Sequence, residues 1–203
     1  MKEITSKKAL EVVLSTLKGF ERAKVRSEQY LTPSSIAAEV LWKAFLNGHL
    51  EGKVSVDLGA GTGILGIGCL LLGAKKVYFV ESDPSAIDIL KQNINKIESE
   101  FSSLGKHEIV HDSVENFDIL VDTSLSNPPF GTKEAHADKI FVEKALKISK
   151  FTYSFHKTST LDYIQKLGNV VERFDFDFLL PNTMKHHKKE KQYIKVSCLV
   201  FNQ

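Results

Sequence analysis

The chain has 203 residues, 42% of them hydrophobic, and its 27 Lys and Arg side chains against 25 Asp and Glu leave a net charge of +2. This balance excludes a disordered chain, and the length is enough to bury a sizeable core. Cys69 and Cys198 lie far apart in apolar runs, which excludes a disulfide scaffold and predicts buried thiols in a reducing compartment. No apolar stretch approaches the roughly 20 residues of a membrane span, and the first residues are unlike a signal peptide. We therefore predict a single cytoplasmic domain over residues 1–203.

The charges are distributed unevenly along the chain. Residues 1–26 carry a net charge of +4 and residues 151–203 a net charge of +3, whereas residues 51–150 carry −4. Basic ends around an acidic centre favour an anionic partner. Solvated lysines on an ordinary protein surface give the same count, so the charge alone leaves both interpretations open.

The predicted elements alternate between strands and helices after residue 50. Before it, apolar residues at helical spacing predict helices over residues 4–17 and from Thr32-Pro33 to about Asn47. The later elements are strand 53–58, helix 64–72, strand 77–80, helix 84–97, strand 108–111, strand 122–126, helix 139–148, strand 151–155, helix 158–167, and strands 171–180 and 193–201. This order predicts an α/β fold, a Rossmann-like, doubly wound, mostly parallel seven-stranded sheet with an antiparallel edge hairpin and N-terminal helices.

A glycine-rich loop separates the first of these strands from the helix that follows it. The loop reads Asp57-Leu58-Gly59-Ala60-Gly61-Thr62-Gly63, and its glycines allow a tight turn and the close approach of a ligand to the backbone. Residues 61–66 also satisfy the G-x-G-x-x-G pattern of dinucleotide enzymes, which by itself is a weak match. The acid at the strand end and the alternating glycines directly after it favour S-adenosylmethionine instead, with Asp57 and the loop backbone addressing its methionine moiety.

Acidic residues also follow the next two strands. Glu81 stands 22 residues after Gly59, where a carboxylate can accept hydrogen bonds from both hydroxyls of a ribose. Asp112 ends the third strand, where it can hydrogen-bond an adenine amino group. Glu81 could instead stabilise the N-terminus of the following helix, although Asp83 is better placed to do so. Asp112 could instead be an ordinary acidic residue of a loop. Because parallel strands end at one edge of a sheet, these groups are predicted to converge on one crevice.

The tetrapeptide Asn127-Pro128-Pro129-Phe130 after the fourth strand is the most specific feature of the sequence. Two prolines fix the backbone and leave its carbonyl groups free to accept hydrogen bonds. The Asn127 side-chain oxygen and the Pro128 carbonyl can bind the two hydrogens of an amino group on a planar ring, which directs its lone pair at a methyl donor. Phe130 can stack on the ring and hold it for in-line attack. The alternative is a plain turn closed by prolines and an aromatic residue.

These features resemble a class I S-adenosylmethionine-dependent methyltransferase of the amino-methylating NPPF/Y type. The chain is most similar to the small archaeal and eukaryotic family whose eukaryotic members make N6-methyladenosine in small-subunit ribosomal RNA. Residues 28–33 match the upstream E-Q-Y-x-T segment of that family, residues 153–158 its Y-S-x-H-K-T segment, and residues 186–189 its late basic loop. The linker 113–125 departs from the family by being longer and more polar.

The resemblance implies S-adenosyl-L-methionine as cofactor, a helical extension over residues 1–50 that covers it, and a Rossmann-like core over residues 51–203. The residues predicted to bind the cofactor are Gln29, Tyr30, Thr32, Asp57, Gly59, Gly61, Thr62, Gly63, Ile64, Glu81, Asp112 and Ser113. The residues predicted to be catalytic are Asn127, Pro128, Pro129 and Phe130.

Substrate contacts are predicted at two basic segments. An adenine inside a duplex is inaccessible, so the acceptor base must be flipped or unpaired. His156 and Lys157 follow the fifth predicted strand and are expected to emerge at the same sheet edge as Asn127, unless they are a half-buried histidine and a surface lysine. Lys188 and Lys189 belong to the densest basic run, which suits RNA backbone contacts. The two histidines of that run keep no zinc-ligand spacing with other residues, so no metal is predicted.

The sequence therefore predicts methylation of the exocyclic N6 amine of an unpaired adenine in RNA, with ribosomal RNA as the expected substrate. N5-methylation of a protein glutamine amide, methylation of DNA adenine, and a cofactor-binding RNA scaffold without turnover are the alternatives. The family resemblance also implies a small zinc-binding activator protein as a partner. No membrane association is predicted.

Overall fold

The computed structural model describes residues 3–20, 31–129, 137–179 and 193–203. Its helices are α1 (Lys7–Leu14), α2 (Ser34–Leu46), α3 (Ile64–Leu71), α4 (Pro84–Glu100), α5 (Ala137–Ile148) and α6 (Leu161–Ile164). Its strands are β1 (Val54–Leu58), β2 (Lys76–Glu81), β3 (Lys106–His111), β4 (Val121–Ser126), β5 (Ser149–Lys157), β6 (Val170–Leu179) and β7 (Tyr193–Asn202). No helix in these four ranges has both the length and the apolar character needed to cross a membrane.

The seven strands of the described chain form one sheet in the order β3-β2-β1-β4-β5-β7-β6. Strands β1 to β5 are parallel, and β7 runs antiparallel to both of its neighbours, β5 and β6. The chain moves outward from β1 to β3 and then returns to place β4 on the other side of β1. Such a reversal opens a crevice at the carboxyl ends of the central strands. The predicted fold class is confirmed, including the antiparallel pairing of the last two strands.

Helices cover both faces of the sheet because the strand side chains alternate between the two faces. Helices α1 to α4 lie on one face, where Leu41 and Leu90 join a core with Phe79 and Tyr153. Helix α5 covers the other face, where Ala145 and Ile148 pack with the inward side chains of β1. The free thiols of Cys69 and Cys198 are both buried, as predicted, and burial raises the pKa of each.

The structure corrects two sequence predictions near the end of β5. The strand continues to Lys157, because its backbone stays paired with β7 through Lys157 and Val196. The helix predicted over residues 158–167 is instead a 3₁₀ turn, the single turn α6 and a second 3₁₀ turn. Thr158, Ser159 and Thr160 are weak helix formers, and the Thr160 hydroxyl donates to the Lys157 carbonyl at 3.0 Å.

Candidate active site

A cavity of ≈ 370 Å³ opens at the carboxyl ends of β1, β2, β3 and β4, within the size range of small-molecule sites. Most of the predicted site residues meet there. Those that line the cavity are Thr32, Asp57, Gly59, Gly61, Thr62, Ile64, Glu81, Asp112, Ser113, Asn127 and Pro129. The convergence follows from topology, since each of these strands ends at the same edge of the sheet.

Other predicted residues have different positions. Gly63 precedes α3 with φ of 93° and is absent from the cavity lining, as is Pro128, which is buried. Gln29, Tyr30, Phe130, Lys188 and Lys189 lie outside the described residues.

The glycine loop adopts a backbone that side chains would obstruct. Gly59 has φ of 68°, and a Cβ atom there would lie 2.7 Å from Cε1 of Phe141. Gly61 has φ of 55°, and a Cβ atom there would lie 3.1 Å from Cζ of Phe20. Both positions therefore favour glycine for their backbone conformation, and a side chain at either one would also press on an aromatic ring. The resulting cradle of bare backbone fits a cofactor that is held against main-chain groups.

Asp57 joins β1 to the start of α3. Its side chain is 2% exposed, and its Oδ2 accepts a hydrogen bond from the Gly66 backbone N–H at 2.8 Å. Burial raises the pKa of Asp57 to about 7; the hydrogen bond from Gly66 opposes this rise, and the charge of Glu81 adds to it. A carboxyl group at the cavity wall therefore titrates close to neutral pH.

The affinity for S-adenosylmethionine is expected to rise as the pH rises from 6 to 8. With a pKa of about 7, the Asp57 carboxyl is mostly protonated at the lower pH and mostly ionised at the higher. The cofactor carries sulfonium and ammonium cations that favour the carboxylate, so binding should strengthen by up to about 10-fold. Isothermal titration calorimetry across this range checks the prediction. Asp57→Asn keeps an acceptor for Gly66 and should give a flat profile; the wild-type slope in that variant would assign the effect to another group.

Glu81 ties the end of β2 to the glycine loop. Its Oε2 accepts from the Gly61 backbone N–H at 2.7 Å, and its Oε1 accepts from the N–H groups of Ser82 at 2.9 Å and Asp83 at 2.8 Å. Asp83, and not Glu81, caps the N-terminus of α4: its Oδ1 accepts a hydrogen bond from the Ser85 N–H at 3.0 Å. Glu81 thus holds the loop in shape while it lines the cavity, and its predicted contact with a ribose stays a prediction.

Asp112 lies at the outer side of the cavity, after β3. Its Oδ1 accepts hydrogen bonds from the side chain of Asn116 and the backbone N–H of Ser113, each at 2.7 Å. These two bonds, that of Asn116 first, lower the pKa of the exposed Asp112 carboxyl below its usual value. An ionised acceptor is thereby held at this end of the cavity.

Four of the apolar side chains that line the cavity come from outside the glycine loop and the strand ends, and the sequence patterns did not indicate them. Phe20 and Leu31 come from the chain between α1 and α2, and Ile140 and Phe141 come from α5. The backbone two residues before Phe20 is fixed by Asn93 of α4, whose side chain exchanges hydrogen bonds with Lys18 and donates to the Thr62 carbonyl at 2.9 Å. Glycines at positions 59 and 61 leave room for the rings of Phe141 and Phe20. The presence of these glycines is the feature of the sequence that could have indicated aromatic neighbours.

Asn127 stands directly after β4 and lines the cavity. Its Nδ2 donates to the hydroxyl of Thr32 at 2.9 Å. Because Ser126 pairs with Leu58 in the neighbouring strand, the register of the sheet sets Asn127 level with the start of the glycine loop. An amide that can accept hydrogen bonds from an amine therefore shares a cavity with the cofactor cradle.

His156 and Lys157 do not line this cavity. They are the last residues of β5 rather than the start of a loop, which corrects the expectation that they emerge after the strand. His156 is 0% exposed, and its Nδ1 lies 3.5 Å from Oδ2 of Asp138. Burial acts to raise the pKa of Asp138, but the nearby His156 ring and the backbone N–H groups of Lys139 and Asp138 outweigh it and hold that pKa below its usual value. A direct contact between His156 and a substrate would require this end of β5 to open.

A sheet in which β7 runs antiparallel between its neighbours, with the cofactor cradle after β1, is the architecture of class I S-adenosylmethionine-dependent methyltransferases, and the chain is one of them. The family model described as Conserved hypothetical protein 95 matches residues 34–175. The chain belongs to that family.

Named relatives match nearly the whole chain. It is 36% identical to rRNA N(6)-adenosine-methyltransferase Mettl5 of Drosophila melanogaster, with 92% of each chain covered. It is 34% identical to rRNA N(6)-adenosine-methyltransferase METTL5 of Danio rerio, with 96% of this chain and 97% of that protein covered. The crystal structure of PH1948 from Pyrococcus horikoshii, a proposed RNA methyltransferase, is 40% identical, covers 98% of this chain and 99% of its own, and superposes with a TM-score of 0.87.

Proposed function

We propose that the protein transfers a methyl group from S-adenosylmethionine to the exocyclic N6 amine of an unpaired adenine in RNA, and that the RNA is ribosomal. The observation that carries the proposal is the position of Asn127 in the wall of the cavity that contains the glycine cradle and Glu81. The names of the relatives from Drosophila melanogaster and Danio rerio, which specify rRNA adenosine, support the choice of acceptor.

The chemistry required of the protein is modest. An amino group on an aromatic ring is a poor nucleophile because its lone pair is delocalised into the ring. Hydrogen bonds from that amine to the Asn127 Oδ1 and the Pro128 carbonyl favour a pyramidal nitrogen with its lone pair directed into the cavity. The cofactor, when bound, supplies an electrophilic methyl group. The amine nitrogen would form its bond to the methyl carbon as the carbon–sulfur bond breaks and the electron pair returns to sulfur, and the nitrogen would then lose its proton to water, so no side chain has to act as a general base before attack. Stacking of the adenine on Phe130 is a further part of the proposal.

The segment between α1 and α2 supports the proposed cover over the cofactor. Phe20, Leu31 and Thr32 all line the cavity, although they precede the glycine loop by a whole helix. A cover of this kind shields the reacting centre from water, and the basic side chains of the two chain ends would hold the RNA backbone near it. RNA contacts of Lys157, Lys188 and Lys189 stay predictions. Binding of the small zinc-binding activator also stays a prediction; β3 and β6 are the outer strands of the sheet in the described part of the chain.

An acceptor assay separates the proposed substrate from its alternatives. The protein is incubated with cofactor carrying a radiolabelled methyl group and, in parallel, with ribosomal subunits, ribosomal RNA, single-stranded DNA and release-factor protein. We expect label in RNA, recovered as N6-methyladenosine after digestion to nucleosides, and none with the Asn127→Ala variant. Label only in protein would support glutamine methylation, and label only in DNA would support DNA adenine. Cofactor binding without label in any acceptor would support the scaffold.

A further inference from the structure

The buried side chain of Asn93 joins two stretches of main chain that are far apart in sequence. Asn93 belongs to α4 and is 1% exposed. Its Oδ1 accepts a hydrogen bond from the Lys18 backbone N–H at 2.8 Å, and its Nδ2 donates to the carbonyls of Lys18 and Thr62, each at 2.9 Å. A backbone N–H can only donate and a backbone carbonyl can only accept, so these partners fix which end of the amide faces each of them. The Asn93 amide therefore holds the chain after α1 against the glycine loop.

Both of these stretches contribute to the wall of the cavity. Thr62 lines it from the glycine loop, and Phe20, two residues after Lys18, lines it from the chain after α1. The Phe20 ring lies close to the loop, because a Cβ atom at Gly61 would be 3.1 Å from its Cζ. Residues 18–20 belong to neither a helix nor a strand, so no regular backbone pairing sets the place of this ring.

Two further side chains of α4 contact the chain after α1, and both contacts are exposed. The Oε1 of Gln92 accepts from the Lys18 Nζ at 2.7 Å, and the Nζ of Lys96 donates to the Thr16 carbonyl at 2.8 Å. Water competes with exposed hydrogen bonds of long, flexible side chains, whereas a buried amide bonded to three backbone groups has little access to water. Of the three α4 side chains, Asn93 is thus expected to contribute most to the position of this stretch.

We propose that Asn93 is a positioning residue of the cofactor site, which holds Phe20 against the glycine loop before the cofactor binds. Without its hydrogen bonds, S-adenosylmethionine itself would have to order the Phe20 ring, and the affinity would fall with the fraction of molecules that have the ring in place. The inference depends on cofactor binding in this cavity and not on which acceptor is methylated. By linkage, a cofactor that prefers the ordered wall must also stabilise that wall.

The first test is a double-mutant cycle on cofactor affinity. The Kd for S-adenosylmethionine is measured by calorimetry for Asn93→Ala, Phe20→Ala and the double variant, below the unfolding temperature of each. Asn95→Ala is the matched control, since Asn95 is an exposed asparagine of the same helix that does not line the cavity. We expect Asn93→Ala to weaken binding by about 10-fold and Asn95→Ala to stay within about twofold of wild type.

Phe20→Ala should also weaken binding, but it should add less than about twofold to the effect of Asn93→Ala, because the ring is already out of place in that variant. A role of Asn93 in general stability alone predicts a different result. Its variant would then unfold at a lower temperature with an unchanged Kd, or its effect on Kd would multiply fully with that of Phe20→Ala. Either outcome would overturn the proposal.

Hydrogen exchange in the wild-type protein tests the same coupling without any substitution, and so decides the matter if Asn93→Ala does not fold. The Lys18 backbone N–H should exchange at least about 10-fold more slowly when the cofactor is bound. The control is the Gly52 N–H, which donates to the Gly73 carbonyl at 2.8 Å and lies away from the cavity lining. No slowing at Lys18, or equal slowing at Gly52, would overturn the proposal. A protein that binds cofactor but methylates no RNA would contradict the proposed function and leave both measurements of Asn93 valid.

Discussion

Asn127→Ala is expected to abolish methyl transfer while the protein still binds S-adenosylmethionine. The alanine variant loses the side-chain oxygen that would accept a hydrogen bond from the substrate amine, so the rate should fall by at least about 100-fold. The described hydrogen bond of the amide runs from Nδ2 to Thr32 and not to the glycine loop, so the cofactor cradle should keep its shape. Single-turnover transfer of a radiolabelled methyl group measures the loss of rate, and calorimetry measures whether the variant still binds the cofactor.

The matched control for this variant is Asn169→Ala. Asn169 is an exposed residue just before β6 that does not line the cavity. Its replacement tests the loss of an asparagine side chain without a change in the proposed site, and its activity should equal that of wild type. Transfer by Asn127→Ala at more than a tenth of the wild-type rate would contradict the proposed chemistry. A large loss of cofactor affinity in that variant would show that Asn127 acts on binding as well.

The sequence predicted the parts of the site that are encoded locally. Asp57 and Glu81 lie at the ends of strands, Asp112 directly follows one, and a turn comes after each acid, a pattern visible within about ten residues of each. Parallel pairing then places the three strand ends side by side, with Leu58 opposite Val80 and Glu81 opposite His111. The convergence of these acids therefore needs only that the three strands be parallel neighbours, and the alternation of strands and helices implies the parallel pairing.

The apolar wall of the cavity was not predictable in the same way. Ile140 of α5 is 41% exposed and Phe141 packs over Gly59, but nothing near them in sequence distinguishes them from ordinary helix residues. Their position depends on how α5 lies across the end of β1, which is a long-range packing outcome. Phe20 is a similar case, since its approach depends on the hydrogen bonds between Lys18 and Asn93.

The position of His156 also depended on long-range pairing. Its neighbours Lys157 and Thr158 are polar, a composition typical of a loop, and this pattern predicted that the strand ended at Phe155. The backbone instead remains paired with β7, where Ser197 is opposite His156. Asp138 of α5 faces the buried ring from another element. A histidine with a carboxylate partner from a distant helix has no signature in its own segment.

Glu81→Ala is expected to weaken S-adenosylmethionine binding by about 100-fold. The variant removes the acceptors of three backbone N–H groups, those of Gly61, Ser82 and Asp83, and so releases the glycine loop from β2. Hydrogen bonds to a charged group are worth about 1.5–3 kcal/mol each, and about 1.4 kcal/mol corresponds to a tenfold change in affinity. The two hydrogen bonds that the ribose hydroxyls are predicted to donate to Glu81 exist only in the bound state, and their loss accounts for the expected effect. Calorimetry of cofactor binding measures it.

Glu81→Gln tests whether the three N–H groups require both carboxylate oxygens. Glutamine supplies one oxygen and turns an NH₂ group toward a backbone N–H, so two donors oppose each other and most of the affinity should again be lost. Glu108→Gln is the control, because Glu108 lies on the neighbouring strand β3, pairs with Lys76 at 2.7 Å and does not line the cavity. Wild-type affinity in Glu81→Gln, with thermal unfolding also unchanged, would mean that one oxygen is sufficient and that the carboxylate charge of Glu81 contributes nothing to the cofactor site.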